Sequence, residues 1–390
     1  MRKQIYIDKE ALAVLSLAKA ELLSPVTRLM NKEEMEQVNR DSMYEGKSFP
    51  CPLLLNPSGK RNKEVLKSLK KHELIDLVTE GEVVGELKVD STFNIDLDVR
   101  IRKLTGGDFS AHDLPSLTAR MGDIAISGEY KLKENPQLDY FKKLHSTITS
   151  LNAKNITGFF IRAEPLHRVH EKILREALMN TDILVIFLLK PYKKSFIDYD
   201  LRLRCVEFFI DGYLQKERVV VIPIDDTYLY AGQNKMALNA IVAKNYGCTK
   251  IITGEHNPGL GVYYKDRQIH SILDELKGID IDFEIISEFV YCDTCRTIVS
   301  TKVCPHGHHH HISYNSESFI EFFKLGLLPP AMFVRQQISA IMLSHIFPNR
   351  FKKLNRFYYD MMTSKGIVQE APEEEFYLKL MQLYQTTSLT

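Results

Sequence analysis

The 390-residue chain carries 51 Lys and Arg against 50 Asp and Glu, a net charge of +1, so no overall field draws it to nucleic acid or to a membrane surface. Its 44% hydrophobic and 26% charged content is that of a globular protein with a sizeable core and room for two or three domains, and no window approaches the roughly 18 apolar residues of a membrane span. The opening run MRKQIYIDKEALAVL meets Asp8, Lys9 and Glu10 before any long apolar core, so no signal peptide and a cytoplasmic location are expected.

Residues 1–150 read as a mixed, strand-rich domain. Apolar spacing predicts helices over Ala13–Ser24, Met30–Tyr44 and Asn62–Val78, the last with its lysines turned away from Val65, Leu66 and Leu69. Strands are expected over Glu82–Asp96 and Asp123–Leu132, separated by the turn-rich segment Thr105–Pro115. Residues 151–325 change character. Apolar runs at 156–163, Asp182–Lys190, Glu217–Ile224, Lys250–His256 and Phe283–Tyr291 alternate with helical patterns at 170–180, Asp198–Leu214, Asn234–Gly247 and Asp266–Lys277. That alternation indicates an α/β domain with a parallel sheet covered on both faces. After Pro329 and Pro330, residues 326–390 read as a small helical C-terminal region.

The stretch Gly158–Asn180 draws attention first. An apolar strand breaks at Pro165 and enters a helical pattern of Leu166, Val169, Ile173, Leu174 and Leu178, with His167 and His170 at the junction. A helix N-terminus presents unsatisfied N–H groups and the positive end of the helix dipole, and imidazoles on its first turn add donors, so this junction suits phosphates. Ligands of parallel sheets bind at the carboxyl ends of the strands. The histidine pair, the Lys190–Lys194 loop, Tyr230–Asn234 and Gly254–Gly261 all follow strands and are expected at one edge.

Three of the six cysteines, Cys51, Cys205 and Cys248, lie scattered in apolar surroundings and read as small buried hydrophobes. The others cluster: Cys292-x-x-Cys295, then Cys304 after eight residues, then a histidine run. Three sulfurs and one nitrogen give the tetrahedral set that Zn²⁺ accepts, and with every position supplied by protein the ion is structural. His306, His308 and His310 are all within reach as the fourth ligand.

The His-x-x-His junction, the phrase KNYGCT (Lys244–Thr249) within YAGQNKMALNAIVAKNYGCTKIITG, and the knuckle followed by CPHG together resemble the ATP sulfurylase family over nearly the whole chain. The resemblance implies a PUA-like N-terminal domain over 1–150, a nucleotidyltransferase domain over 151–325 including the knuckle at 291–311, and a small helical domain over 326–390. It implies attack of sulfate on the α-phosphate of Mg²⁺-bound ATP, giving adenylyl sulfate and pyrophosphate. By resemblance His167 and His170 hold the ATP phosphates, Arg162 stands nearest the sulfate-binding arginine, and Lys190, Gly254, His256, Gly259 and Gly261 border the nucleotide. Cys292, Cys295, Cys304 and, by the family's spacing, His308 hold the zinc. A homo-oligomer follows by analogy; a nucleic-acid or membrane partner does not. The sequence departs from the family's pattern at three anion-contacting places: Ile161–Glu164 in place of Gln-Thr-Arg-Asn, Glu255 in place of an arginine, and Ile320 in place of another. Those departures admit an alternative, a catalytically silent homologue or one using another acceptor, acting as a nucleotide- or partner-binding protein.

Overall fold

The computed structural model describes residues 2–105, 114–191, 195–225, 234–255, 262–265, 268–271, 278–350 and 372–386. The chain divides into two compact units. One comprises Met1–Phe160, Thr181–Tyr192 and Val220–Ile286; the other comprises Ile161–Asn180, Lys193–Val219 and Ser287–Thr390.

The first unit holds two five-stranded sheets. The N-terminal sheet runs in the order Gln4–Tyr6, Leu74–Thr79, Glu82–Asn94, Met121–Leu132 and Leu55–Pro57. The helix expected over Asn62–Val78 is a shorter helix, Lys60–Lys67, and then a strand, Leu74–Thr79. Tertiary pairing overrides the helical spacing. Glu80 and Gly81 both take positive φ, 52° and 88°, the two-residue turn that matches strand twist, and this folds Leu74–Thr79 antiparallel onto Glu82–Asn94. The first helix is Lys9–Lys19, beginning earlier than its apolar spacing suggests because the Asp8 carboxylate caps it, accepting from the Ala11 N–H at 2.8 Å. A helix over Pro136–Leu151, with Pro at its first turn and Asn135 as cap, was not evident from the sequence.

The second sheet is the parallel one, ordered 219–225, 183–190, 156–161, 250–254, 282–286. Numbered along the chain this is 3-2-1-4-5, so the order reverses between Ile156–Ile161 and Lys250–Gly254. Both neighbours of the latter strand are parallel to it, with Ile251 opposite Gly158 and Phe283. Ile183–Leu189 is buried throughout, the mark of a strand covered on both faces. A Cβ on Gly158 would stand 3.0 Å from the Phe187 ring and 3.3 Å from the Cys248 sulfur, so a larger residue there would push these side chains back by a few tenths of an ångström. Within this unit the Tyr246 hydroxyl donates to Gln137 Oε1 at 2.6 Å and the Asn245 amide to the Leu22 carbonyl at 3.0 Å, tying the helix Asn234–Tyr246 to N-terminal segments.

Two expected elements differ. Gln268–Ser271, expected within a helix, is a strand paired antiparallel with Val262–Lys265, because the aromatic-rich partner offers a hairpin register. The single strand expected over Phe283–Tyr291 is two strands, Asp282–Ile286 in the parallel sheet and Phe289–Cys292 in the knuckle.

The second unit contains helices Arg168–Met179, Tyr199–Tyr213, Ser316–Lys324, Gln336–Ile346 and Glu373–Thr386, with the knuckle sheet of Thr297–Ser300, Phe289–Cys292 and His311–Ile312. The last two helices pack on each other, and the Ser344 hydroxyl lies 3.4 Å from Glu374 Oε1. Among the described residues no helix is long and apolar enough to cross a membrane.

Candidate functional site

The strand Ile156–Ile161 ends where the sheet order reverses, the place at which open parallel sheets bind ligands. The chain then turns through residues 162–166 into the helix Arg168–Met179. Ala163 sits buried at φ +50°, a left-handed conformation that costs a non-glycine residue roughly 1 kcal/mol or more. What holds the turn is Arg202, fully buried on the helix Tyr199–Tyr213. Its guanidinium donates to the Arg162 carbonyl at 2.9 Å and to the Asp198 carbonyl at 3.3 Å, and lies 4.0 Å from the Glu164 carboxylate. Burial lowers its pKa and Glu164 opposes that shift. Glu164 therefore serves as counter-charge to a buried arginine. Asp198 caps its own helix, accepting from the Leu201 N–H at 2.8 Å, and Arg204 pairs with Glu374. Arg162 itself is exposed.

His167 is the N-cap residue of the next helix, with extended backbone angles. Its N–H donates to His170 Nδ1 at 3.4 Å, and the two rings stack with centroids 3.7 Å apart. Tyr314 and Phe319 complete the surroundings, at 5.3 and 6.0 Å from the His167 ring, and His167 Nδ1 is buried without a hydrogen-bond partner. Burial, then proximity to His170, holds the His167 pKa well below its ordinary value, and burial brings His170 down to about 4. Both rings are neutral at pH 7. Because His170 Nδ1 accepts, its proton resides on Nε2, which makes Nε2–H its donor.

The rest of the helix N-terminus is committed internally. The Arg168 N–H donates to the Phe333 carbonyl at 2.8 Å and its side chain to the Ala331 carbonyl at 3.0 Å. The buried Glu171 carboxylate takes Arg168 at 3.0 Å and a two-pronged contact from Arg335 at 2.9 and 2.7 Å, while the Arg335 guanidinium lies 3.6 Å from the Tyr213 ring centre. Arg202, Arg335 and the Tyr314–Phe319 wall were not singled out from sequence. Only Arg202, within Asp198-x-x-x-Arg202-x-Arg204, carried a sequence signal.

Of the remaining expected residues, Lys190 ends its strand exposed to solvent and offsets the upward push of burial on Asp225. Gly254 ends the strand Lys250–Gly254, exposed, with nothing within 4 Å of where a Cβ would stand. His256, Gly259, Gly261, Lys193, Lys194, His112, Asp113 and residues 230–233 lie outside the described residues.

The knuckle corrects one ligand. Cys292, Cys295, Cys304 and His306 bring their donor atoms within 4.8 Å of one another. His306 Nδ1 lies 3.5, 3.2 and 3.5 Å from the sulfurs of Cys292, Cys295 and Cys304, and Cys295 Sγ lies 3.9 Å from Cys304 Sγ. Tetrahedral zinc with bonds of about 2.3 Å to sulfur and about 2.0 Å to nitrogen would space sulfurs about 3.8 Å apart and nitrogen about 3.5 Å from sulfur, so the residues fit such an ion. His308, the expected ligand, instead begins a 3-10 turn, His308–His310, and its ring meets His311 at 5.8 Å. His306 follows Cys304 by two residues, where the family spacing implies a ligand four residues on. Among the described residues this is the group of three or more metal-ligating side chains that converges.

Comparison with known proteins agrees with this architecture. Residues 140–345 match the ATP-sulfurylase family and residues 1–135 match the PUA-like domain. The sulfate adenylyltransferase of Trichodesmium erythraeum (strain IMS101) is 28% identical over 349 residues, covering 86% of this chain and 89% of the relative. That of Trichormus variabilis (strain ATCC 29413 / PCC 7937) is 26% identical over 352 residues, covering 86% and 88%. Among solved structures, the hexameric APS kinase from Thiobacillus denitrificans shares the fold at a TM-score of 0.65 and 17% identity; 89% of this chain is covered, and the chain spans 63% of that one. With more than half its length matched, the chain belongs to the ATP-sulfurylase family, carrying a PUA-like domain at its N-terminus.

Proposed function

We propose that the protein is a sulfate adenylyltransferase-type nucleotidyltransferase, converting ATP and sulfate to adenylyl sulfate and pyrophosphate. The observation that carries this reading is the stacked pair His167 and His170 on the first turn of the helix that follows the central strand of the parallel sheet. A sulfate oxygen attacks the α-phosphorus; a new O–P bond forms as the bond to the bridging oxygen breaks, and the electron pair leaves with pyrophosphate. No side chain needs to bond to phosphorus. The protein's part is to place two anions in line and to neutralise charge on the leaving phosphates. His170 Nε2–H and the His167 ring supply donors, and Arg162, Lys190, Gly254, His256, Gly259 and Gly261 are assigned to the anions and the nucleotide. Mg²⁺ enters with ATP. Cys292, Cys295, Cys304 and His306 hold a structural Zn²⁺ that closes the knuckle. A cytoplasmic homo-oligomer belongs to the same proposal.

A second reading, a silent homologue or one using another acceptor, draws support from two contacts. Glu164 places a carboxylate in the turn where the sulfate side is expected, and the Phe333 carbonyl takes the Arg168 N–H. One assay separates the two. Purified protein is given Mg²⁺, ATP and sulfate, and pyrophosphate is measured, then again with molybdate, phosphate and sulfonates. Sulfate-dependent release that falls roughly a hundredfold or more in His167→Ala supports the enzyme. Absence of any ATP heat in calorimetry sinks the enzyme reading, and ATP binding without release under every acceptor establishes the silent homologue.

A further inference from the structure

The histidine run that follows the knuckle is used only in part by the metal set. His306 joins the three sulfurs, and His308–His311 come after it. Short histidine-rich tracts bind metal by composition, so each ring of this one is a potential ligand. Geometry separates them. The His308 and His311 rings stand 5.8 Å apart, and both ring nitrogens of His311 are closed to solvent, out of an ion's reach. His309 is exposed and His310 half-buried, and their rings lie 4.1 Å apart, tilted by 46°. The His309 ring folds over Gly307, with Cε1 and Nδ1 2.9 and 3.0 Å from where a Cβ would stand.

A second observation points the same way. His310 Nδ1 lies 2.7 Å from Oδ1 of Asp293, a residue of the Cys292-x-x-Cys295 turn, and the Thr294 hydroxyl donates to the same oxygen at 3.1 Å. A carboxylate accepts, so the imidazole proton is on Nδ1 and Nε2 keeps its lone pair. Metal-ligating histidines almost always give their other N–H to a carboxylate or carbonyl, which fixes the ring and raises the basicity of the ligating nitrogen. His310 already has that support. Its backbone is pinned as well: its N–H donates to the Gly307 carbonyl at 2.9 Å, and its carbonyl accepts from the Asp293 N–H at 3.0 Å. We infer that His309 and His310 form a second, exchangeable site for a borderline divalent transition-metal ion such as Ni²⁺, Cu²⁺ or Zn²⁺, with Asp293 behind His310 and water in the remaining positions. Imidazole suits these ions, whereas Mg²⁺ and Ca²⁺ take oxygen ligands. Two imidazoles on one ion, with bonds of about 2.0–2.1 Å, hold their ring centres roughly 4.5–5 Å apart, so the pair opens by less than about 1 Å to take it. Two protein ligands against the knuckle's four make this the weaker and faster-exchanging site. It does not depend on the proposed reaction.

The test uses the full chain without a polyhistidine tag, passed over a chelating resin to clear loosely held metal, with Ni²⁺ as the probe in calorimetry. One saturable Ni²⁺ per chain is expected beyond the metal that the chain retains through the resin. Asp293→Asn should weaken it by roughly tenfold or more, the usual cost of losing the group behind a ligating histidine. Because Asp293 lies inside the knuckle turn and its loss can disturb the fold, His309→Ala is the second variant. That side chain is exposed, and its removal should weaken Ni²⁺ by a similar factor while the resin-resistant metal stays at the parent's level. His308→Ala should bind Ni²⁺ as the parent does. Cu²⁺ in place of Ni²⁺ gives an independent readout: electron paramagnetic resonance should show two nitrogen ligands in the parent and one in His309→Ala. No saturable Ni²⁺ binding by the folded parent, undiminished binding by His309→Ala, or a loss in His308→Ala as large as in His309→Ala would overturn the inference.

Discussion

The knuckle and the histidine-bearing turn lie in the same chain and rely on opposite physics. In the knuckle, three sulfurs and one imidazole nitrogen lie within 4.8 Å of one another, an arrangement that fits a tetrahedral cation. In the turn, charged groups pair with one another and with backbone carbonyls. Arg202 holds the Arg162 carbonyl, Glu171 lies between Arg168 and Arg335, and the Phe333 carbonyl takes the first helical N–H. One region gathers donors that could hold a metal ion, the other is organised by ion pairs it already contains. The difference teaches that histidines of similar appearance in sequence are set to different tasks by their neighbours. His306 points a nitrogen at three sulfurs, whereas His167 and His170 are stacked and neutral, His167 buried and His170 half-buried.

The largest expected effect tests the knuckle. Metal analysis of purified protein should find one zinc per chain, lost in His306→Ala and in Cys304→Ser, with an extensive drop in melting temperature. Roughly 10 kcal/mol of metal-binding free energy is typical of structural zinc sites in small domains. Full zinc retention by folded His306→Ala would show that another side chain completes the site.

Next comes the ion-pair network of the turn. Glu171→Ala leaves the Arg168 and Arg335 guanidinium groups facing each other without their buried carboxylate, and should cost about 3–5 kcal/mol in urea unfolding. A cost below about 1 kcal/mol would mean the network is solvated and the contrast with the knuckle is overdrawn.

A smaller effect follows from the depressed histidine pKa values. His170 has a folded pKa near 4 and His167 well below its ordinary value, against about 6.5 in the unfolded chain. Between those values the unfolded chain binds more protons, so stability is full above pH 6.5 and falls progressively as pH drops toward 4. The double variant His167→Phe, His170→Leu should flatten that slope in urea midpoints measured across the range. An unaltered slope would place the titration elsewhere.

The smallest effect is a null one. His308→Ala should change stability by less than about 0.5 kcal/mol and leave zinc content intact, since its ring stands against His311 and outside the converging ligand group. Zinc loss in that variant would return the fourth ligand to His308.

Much of the architecture was legible because it is periodic. Near-continuous apolar runs such as Ile183–Leu189, alternating with 3.6-residue patterns, indicate strands buried on both faces and the helices that cover them. Where periodicity failed, a pairing partner decided. Leu74–Thr79 continues a helical spacing by eye but becomes a strand because Glu80 and Gly81 fold it onto Glu82–Asn94. The Glu-Gly pair was a usable signal. No comparable signal marks Gln268–Ser271, whose strand depends on Val262–Lys265.

At the site, residue types and local spacing identified the histidine junction and the three clustered cysteines, because a helix N-terminus and a Cys-x-x-Cys turn are built from neighbours in the chain. Long-range choices were beyond it. Arg335 reaches Glu171 from 164 residues away, Arg202 reaches the Arg162 carbonyl from 40 away, and nothing local distinguishes a buried guanidinium from a solvated one. The choice of His306 over His308 turned on which ring reaches the three sulfurs in the packed knuckle. The amino-acid sequence by itself determined most of the elements and where chemistry-bearing groups cluster, since both rest largely on short-range periodicity and spacing. Only the tertiary structure decided which of those groups are charged, which are paired and which ligand closes the metal set, since burial and distance belong to the packed chain.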